Sequence, residues 1–269
     1  MFIDSHCHLD RIDLAPYAND FNVFVGAARA AGVEHMLCIA IDMESYPAML
    51  AQTAPYPDIS LSVGVHPNVS DGREPTLDEL LELAANAKVI AIGETGLDYF
   101  HSQGDLEWQF QRFRNHIAVA KQLHKPLIIH TRDAGQDALD VLQAEGADTV
   151  GGVIHCFTED WAYAQRAIDL NFYVSFSGIV TFKNAEAIKD VARRIPADRF
   201  LIETDSPYLA PVLTAANPTT RFTCAMSPSI LPNCAAARSK RWRRNPAKIF
   251  IGCSDSMPAA AIWPPKKMR

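Results

Sequence analysis

Eight short apolar runs alternate with longer amphipathic stretches over the first 211 residues. The runs are Met1–Asp4, Met36–Ala40, Leu61–Val65, Val89–Gly93, Leu127–His130, Val153–Cys156, Phe172–Phe176 and Phe200–Thr204. Each is nearly continuous in apolar residues, the pattern of strands buried on both faces. Stretches with helical period lie between them, at 16–31, 45–54, 76–87, 105–124, 134–145, 159–170 and 184–194. Thr76-Leu77-Asp78-Glu79 has the form of a capping box, and Pro126 follows the helix that closes near His124. Regular alternation of strand and helix predicts parallel strands joined by right-handed crossovers. Eight strands in a 269-residue chain, close to the roughly 250 residues of one such unit, predict an α/β fold of the TIM type, a (β/α)8 barrel spanning residues 1–211. Seven helices are visible; the eighth, due after Thr204, is missing.

Composition is that of a globular enzyme, with 48% hydrophobic and 21% charged residues. The chain contains no transmembrane-length apolar run, and Met1–His6 lacks the basic start and apolar core of a leader. A cytoplasmic address, no membrane contact and no obligate protein partner are expected. Cys7, Cys38, Cys156, Cys224, Cys234 and Cys253 form no regular framework and read as free thiols. Net charge is −6, but it is unevenly spread: residues 1–211 carry 15 Lys/Arg against 30 Asp/Glu, and residues 212–269 carry 10 against one. An acidic body disfavours broad binding to a nucleic-acid duplex. It leaves open an enzyme that grips only a terminal phosphate.

The candidate chemistry collects where the predicted strands end. His6 and His8 close the first run, and residues two apart on a strand share a face. His66 follows the third run, Glu94 the fourth, His130 ends the fifth, His155 lies in the sixth and Asp205 follows the eighth. Five of the nine histidines sit at such ends, and active sites of these barrels occupy the C-terminal face of the strands. His6, His8, Glu94, His130, His155 and Asp205 suit two divalent metal ions. Imidazole and carboxylate favour Zn²⁺, Mn²⁺ or Fe²⁺ over Mg²⁺. His101, His116 and His124 read as solvated, and Trp108, Phe110 and Phe113 as helix packing.

The motif series His6-x-His8-Leu9-Asp10, Gly64-Val65-His66-Pro67, Gly93-Glu94-Thr95-Gly96-Leu97-Asp98-Tyr99, His130-x-Arg132, His155-Cys156-Phe157 and Glu203-Thr204-Asp205-Ser206-Pro207-Tyr208-Leu209 resembles that of the TatD family. These are metallo-dependent hydrolases of the amidohydrolase-like group. The resemblance covers residues 1 to about 211. It implies that His6, His8, Glu94 and Asp205 hold one metal, and that Glu94 bridges to a second held by His130 and His155. Mg, Mn or Zn are the candidate ions. The implied activity is that of a 3′-exodeoxyribonuclease acting on a DNA end, or on RNA as well. Two cations lower the pKa of water, and Asp205 and Glu94 are the catalytic carboxylates, with Asp205 taking the proton. His66, Arg132 and Glu203 are candidate substrate-binding residues. Each has a plainer reading: His66 closing a loop before Pro67, Arg132 pairing with Asp133 or Glu94, Glu203 hydrogen-bonding beside a metal ligand. The same ligands would serve an ester or amide hydrolase, such as a deacylase of misacylated tRNA, because fold and ions do not fix the bond cleaved.

After Val212 the pattern breaks down. Residues 212–269 hold seven prolines, no histidine and only Asp255 as an acid. Rebuilding codons one base out of register lets Val212–Thr219 encode Pro, Tyr or His, Arg, Gly, Lys, Pro, Asn, the order of the family's loop after its last strand. The same shift lets Lys248–Ser254 encode Asn, Phe, Tyr, Arg, Leu, Phe, the family's ending. The expectation is a frameshifted, irregular tail over 212–269, caused by one nucleotide missing near codon 212. Without its last helix the barrel would leave strands eight and one partly uncovered. At about 25 cal/mol per Å² of burial, against a net stability of about 5–15 kcal/mol, an unstable and inactive product is then the third functional reading.

Overall fold

The computed structural model describes residues 2–209. The boundary expected at 211 and the expected frameshifted tail lie outside the described residues. Eight parallel strands run in chain order: β1 (Phe2–Cys7), β2 (Val33–Cys38), β3 (Ile59–Val63), β4 (Val89–Asp98), β5 (Leu127–Arg132), β6 (Gly152–Ile154), β7 (Phe172–Phe176) and β8 (Phe200–Ile202). The circle closes through Asp205, whose N–H donates to the His6 carbonyl at 2.9 Å, and His8, whose N–H donates to the Ser206 carbonyl at 2.7 Å. Asp4 ties the same seam, accepting from Thr204 N–H at 2.9 Å and from the Thr204 hydroxyl at 2.6 Å. The crossovers carry α1 (Phe21–Ala30), α2 (Tyr46–Thr53), α3 (Leu77–Ala84), α4 (Glu107–Leu123), α5 (Gly135–Ala144), α6 (Trp161–Asp169) and α7 (Glu186–Arg194). No described helix is long and apolar enough to cross a membrane.

The main core lies between strands and helices and includes Met36, Cys38, Leu61, Val63, Leu127, Ile129, Phe113 and Tyr163. A smaller cluster of Leu37, Ile39, Ala91, Ile128 and Val153, with Leu201 packed against it, uses the alternate positions and fills the barrel interior. The two-residue period of a strand then fixes what comes next. His130 follows Ile128, His155 follows Val153, and Glu203 follows Leu201 on the same face.

Several elements differ from the sequence expectation. The helix expected at 16–31 begins at Phe21, because Pro16 sits in a 3₁₀ turn (Ala15–Tyr17) and the Asp20 carboxylate caps the helix by accepting from Asn22 N–H. The capping box on α3 is half formed: Thr76 Oγ1 accepts from Glu79 N–H at 3.2 Å, while the Glu79 carboxylate turns to Arg73 at 2.6 and 2.8 Å. β4 does not end at Glu94 but runs to Asp98, pairing Thr95–Asp98 with Ile129–Arg132. Its second half is polar and carries Gly96, so an apolar criterion stops short of it. The glycine is required there, since φ is +142° and a Cβ would run into the His130 carbonyl.

Candidate metal centre

Glu94 stands at the middle of the barrel mouth, 2% exposed, with its two oxygens facing different neighbours. Oε2 lies 3.3 Å from His6 Nε2 and 4.0 Å from His8 Nε2. Asp205 Oδ1 completes that side, 3.6 Å from His6 Nε2 and 3.4 Å from His8 Nε2. Oε1 lies 2.7 Å from His155 Nε2, 3.2 Å from His130 Nδ1 and 3.3 Å from His66 Nε2. The structure therefore gathers His6, His8 and Asp205 about one oxygen and His130, His155 and His66 about the other. His66 was expected at the substrate; here it shares a metal-competent group with Glu94 and His130.

The spacing and chemistry of these donors fit divalent ions. Ligand bonds of about 2.0–2.1 Å in a tetrahedron put donor atoms roughly 3.4 Å apart, and most distances above fall near that value. His6 Nε2 and His8 Nε2 face each other at 3.3 Å, and the His6 and His155 rings stack at 3.8 Å. Lone pairs packed this closely repel unless a cation or proton lies among them. Buried His155 Nε2 meets only Glu94 Oε1, at 2.7 Å, so the two donors face one another as a pair of ligand atoms would. Burial pushes the Glu94 carboxyl up, but His155, His66 and His6 outweigh it and hold the group well below the ordinary carboxylate range. Burial likewise raises Asp205, and the hydrogen bond from His8 with the nearby His6 reverses the effect. Both carboxylates are thus kept ionised, as ligands must be.

The far nitrogens of three of these imidazoles are held from behind. His8 Nδ1 donates to the Ile39 carbonyl at 3.3 Å, His66 Nδ1 contacts Asn68 Oδ1, and His130 Nε2 donates to Asp98 Oδ2 at 3.0 Å. Glu203 is buried below His155, its Oε1 3.5 Å from His155 Nδ1 and accepting from Cys156 N–H at 2.6 Å. Its Oε1 lies against the back of the His155 ring and not at the open mouth. Arg132 makes no ion pair with Asp133 or Glu94 among the described residues; it is exposed, with its guanidinium 3.9 Å from the centroid of the Phe100 ring. Cys156, next to His155, and Asp205 hold left-handed φ values of 44° and 55°, conformations non-glycine residues adopt only where the surroundings enforce them.

Sequence reasoning passed over three residues. Asp4 precedes His6 and His8 at two-residue spacing, so D-x-H-x-H marks one strand face; burial lifts its carboxyl to about 7 against the hydrogen bonds from Thr204. Asp98 stands in the same relation to Glu94 and Gly96. His116, expected in solvent, is 1% exposed: its Nδ1 donates to the Arg112 carbonyl at 2.8 Å and its Nε2 accepts from Val65 N–H at 3.0 Å. It lies on the face of α4 that packs on the strands. Helical period alone does not separate a buried polar position from a solvated one.

A parallel barrel with five imidazoles and a carboxylate around a central glutamate at the C-terminal ends of its strands defines a metal-dependent hydrolase. A family model described as TatD related DNase matches residues 3–247. The chain belongs to the TatD family. The metal-dependent hydrolase YcfH of Escherichia coli K12, whose own function is uncharacterised, is 45% identical over 211 residues, covering 78% of this chain and 79% of that protein. A protein of Escherichia fergusonii named 3′-5′ ssDNA/RNA exonuclease TatD is 30% identical over 242 residues, covering 89% and 92%. Among solved structures, YJJV, a TatD homologue from Escherichia coli K12, superposes with a TM-score of 0.73 at 26% identity, covering 90% of this chain and 96% of that one.

Proposed function

We propose that this chain is a two-metal phosphodiesterase that removes nucleotides from the 3′ end of single-stranded DNA or RNA. The observation that carries the reading is the split of Glu94: one oxygen faces His6 and His8, the other His130, His155 and His66. A bridging carboxylate of this kind serves a pair of ions that would lower the pKa of a water and neutralise charge on the phosphate. Asp205, ionised and only 7% exposed, orients the attacking water and accepts its proton. Arg132, exposed at the rim and steadied on Phe100, offers a cation to the substrate phosphate. The acidic body is consistent with grip on an end and not along a duplex. The activity named for the Escherichia fergusonii relative supports nucleic acid as the substrate.

The test uses the 269-residue chain, stripped with EDTA and reloaded with Mg²⁺, Mn²⁺ or Zn²⁺. Single-stranded DNA labelled at the 5′ end should shorten stepwise from its 3′ end, and Asp205→Ala should abolish this. Turnover of an aminoacyl-tRNA ester without loss of DNA length would replace the nuclease reading with the deacylase one. Cleavage that survives Asp205→Ala would refute the role given to that carboxylate.

The reading-frame change is part of the same proposal: residues from about 212 onward are the product of one missing nucleotide. The 45% match to the YcfH relative spans 211 residues, and the family match runs on to residue 247.

A further inference from the structure

Asp98 is a fully buried carboxylate at the end of β4, and its hydrogen bonds fix its position. Its Oδ1 accepts from the backbone N–H of Phe100 at 3.0 Å and of His101 at 2.9 Å. Its own backbone is held by Gln109 of α4, which accepts from Asp98 N–H at 3.0 Å and donates to the Asp98 carbonyl at 3.1 Å. The remaining oxygen, Oδ2, faces two imidazoles: His130 Nε2 at 3.0 Å and His101 Nδ1 at 2.8 Å. On its other side the His130 ring presents Nδ1 to Glu94 at 3.2 Å.

We propose that Asp98 is the positioning residue that makes His130 a metal ligand, by fixing which of its two nitrogens carries the proton. This rests on the two-metal reading above. A neutral imidazole has one N–H and one lone pair, and the hydrogen bond made by one nitrogen decides the state of the other. An ionised carboxylate can only accept; Glu94 on the Nδ1 side is one too, but with an ion held there the proton would sit on Nε2, where Asp98 accepts it, and the lone pair on Nδ1. The pairing of Gly96 with His130 and of Asp98 with Arg132 in adjacent strands holds the two side chains in register. Because a Cβ at Gly96 would meet the His130 carbonyl, only glycine lets the strands approach so closely there.

Asp98→Asn separates this role from a packing role. The change is nearly isosteric, and its amide oxygen can still accept from the Phe100 and His101 backbone N–H groups. The amide NH₂ then replaces Oδ2 and meets His130 as a donor. His130 must either lose that hydrogen bond or move its proton to Nδ1, where it would block a metal. Removal of such supporting groups typically weakens metal binding about 10–100-fold.

The experiment is zinc titration of the full chain against a competing chelator, wild type beside Asp98→Asn, with apo melting temperatures recorded for both. The expected result is one ion bound as in the wild type and a second bound about 10–100-fold more weakly, with apo melting little changed. Wild-type affinity at both sites, or equal weakening of both, overturns the proposal. A second measurement is independent of the variant: ¹⁵N NMR of the ring nitrogens in the zinc-loaded wild type should find the His130 proton on Nε2. A proton on Nδ1 overturns the proposal even if the variant does not fold. A wild type that holds only one ion counts against the two-metal reading, and the ring assignment then still decides the role of Asp98.

Discussion

His116→Gln is the substitution whose consequence can be worked furthest from the structure. In the native protein the imidazole bridges α4 and the loop after β3, accepting from Val65 N–H and donating to the Arg112 carbonyl. The next residue, His66, is a candidate ligand, and its carbonyl accepts from Arg112 Nη1 at 2.7 Å. Burial, only partly offset by the Arg112 carbonyl, lowers the His116 pKa from 6.5 to about 4. Between those two values the unfolded chain binds a proton that the folded chain does not. Stability from this group is therefore complete above about pH 6.5 and falls as pH drops toward 4. At about 1.36 kcal/mol per pKa unit the full effect is about 3 kcal/mol, of which about 2 kcal/mol is lost between pH 8 and pH 5. Glutamine keeps an acceptor for Val65 N–H and cannot titrate. Urea denaturation of both proteins in EDTA, at pH 8 and pH 5, isolates the difference because other titrating groups cancel. The wild type should lose about 2 kcal/mol more than the variant over that interval. Equal losses would refute the assignment of His116 as a neutral, buried bridge.

Other changes test other parts of the structure. Gly96→Ala drives a Cβ into the His130 carbonyl at a backbone conformation that favours glycine; it should cost on the order of 1–3 kcal/mol and weaken metal binding, and a variant with wild-type melting and zinc affinity would contradict the close strand approach. Removal of metal with EDTA should lower the melting temperature, and an ion restored at about 100 times its dissociation constant should return about 2.7 kcal/mol; identical melts with and without metal would count against the centre. Restoring one nucleotide at codon 212 should raise soluble yield and melting temperature above those of the 269-residue chain. An intact frame on resequencing that codon ends the frameshift proposal.

The barrel was legible because buried parallel strands write themselves as apolar runs, and all eight runs overlap the observed strands. The residues around Glu94 were legible for a related reason: His6, His8, His130, His155 and Asp205 interrupt or end those runs with metal-binding side chains. What stayed hidden was polar and local. The second half of β4 carries Glu94, Thr95, Gly96 and Asp98 and has too little apolar character to announce a strand. His66 read as a phosphate contact because its loop position gives no hint that its ring turns toward Glu94 Oε1. Glu203 was placed on the correct strand end, but whether it looks out or in depends on strand tilt, which sequence spacing does not contain.

The seam between the first and last strands has one more consequence. His6 and His8 lie near the start of the chain and Asp205 about 200 residues later, yet all three would grip the same ion. Such an ion acts as a clasp, tying the two ends of the sheet as a covalent cross-link would. By the loop-entropy relation for cross-links, fastening a loop of about 200 residues disfavours the open chain by on the order of 5 kcal/mol. The cation that prepares water for attack would thus also keep the cylinder shut, so starving the protein of metal would loosen its architecture together with its chemistry.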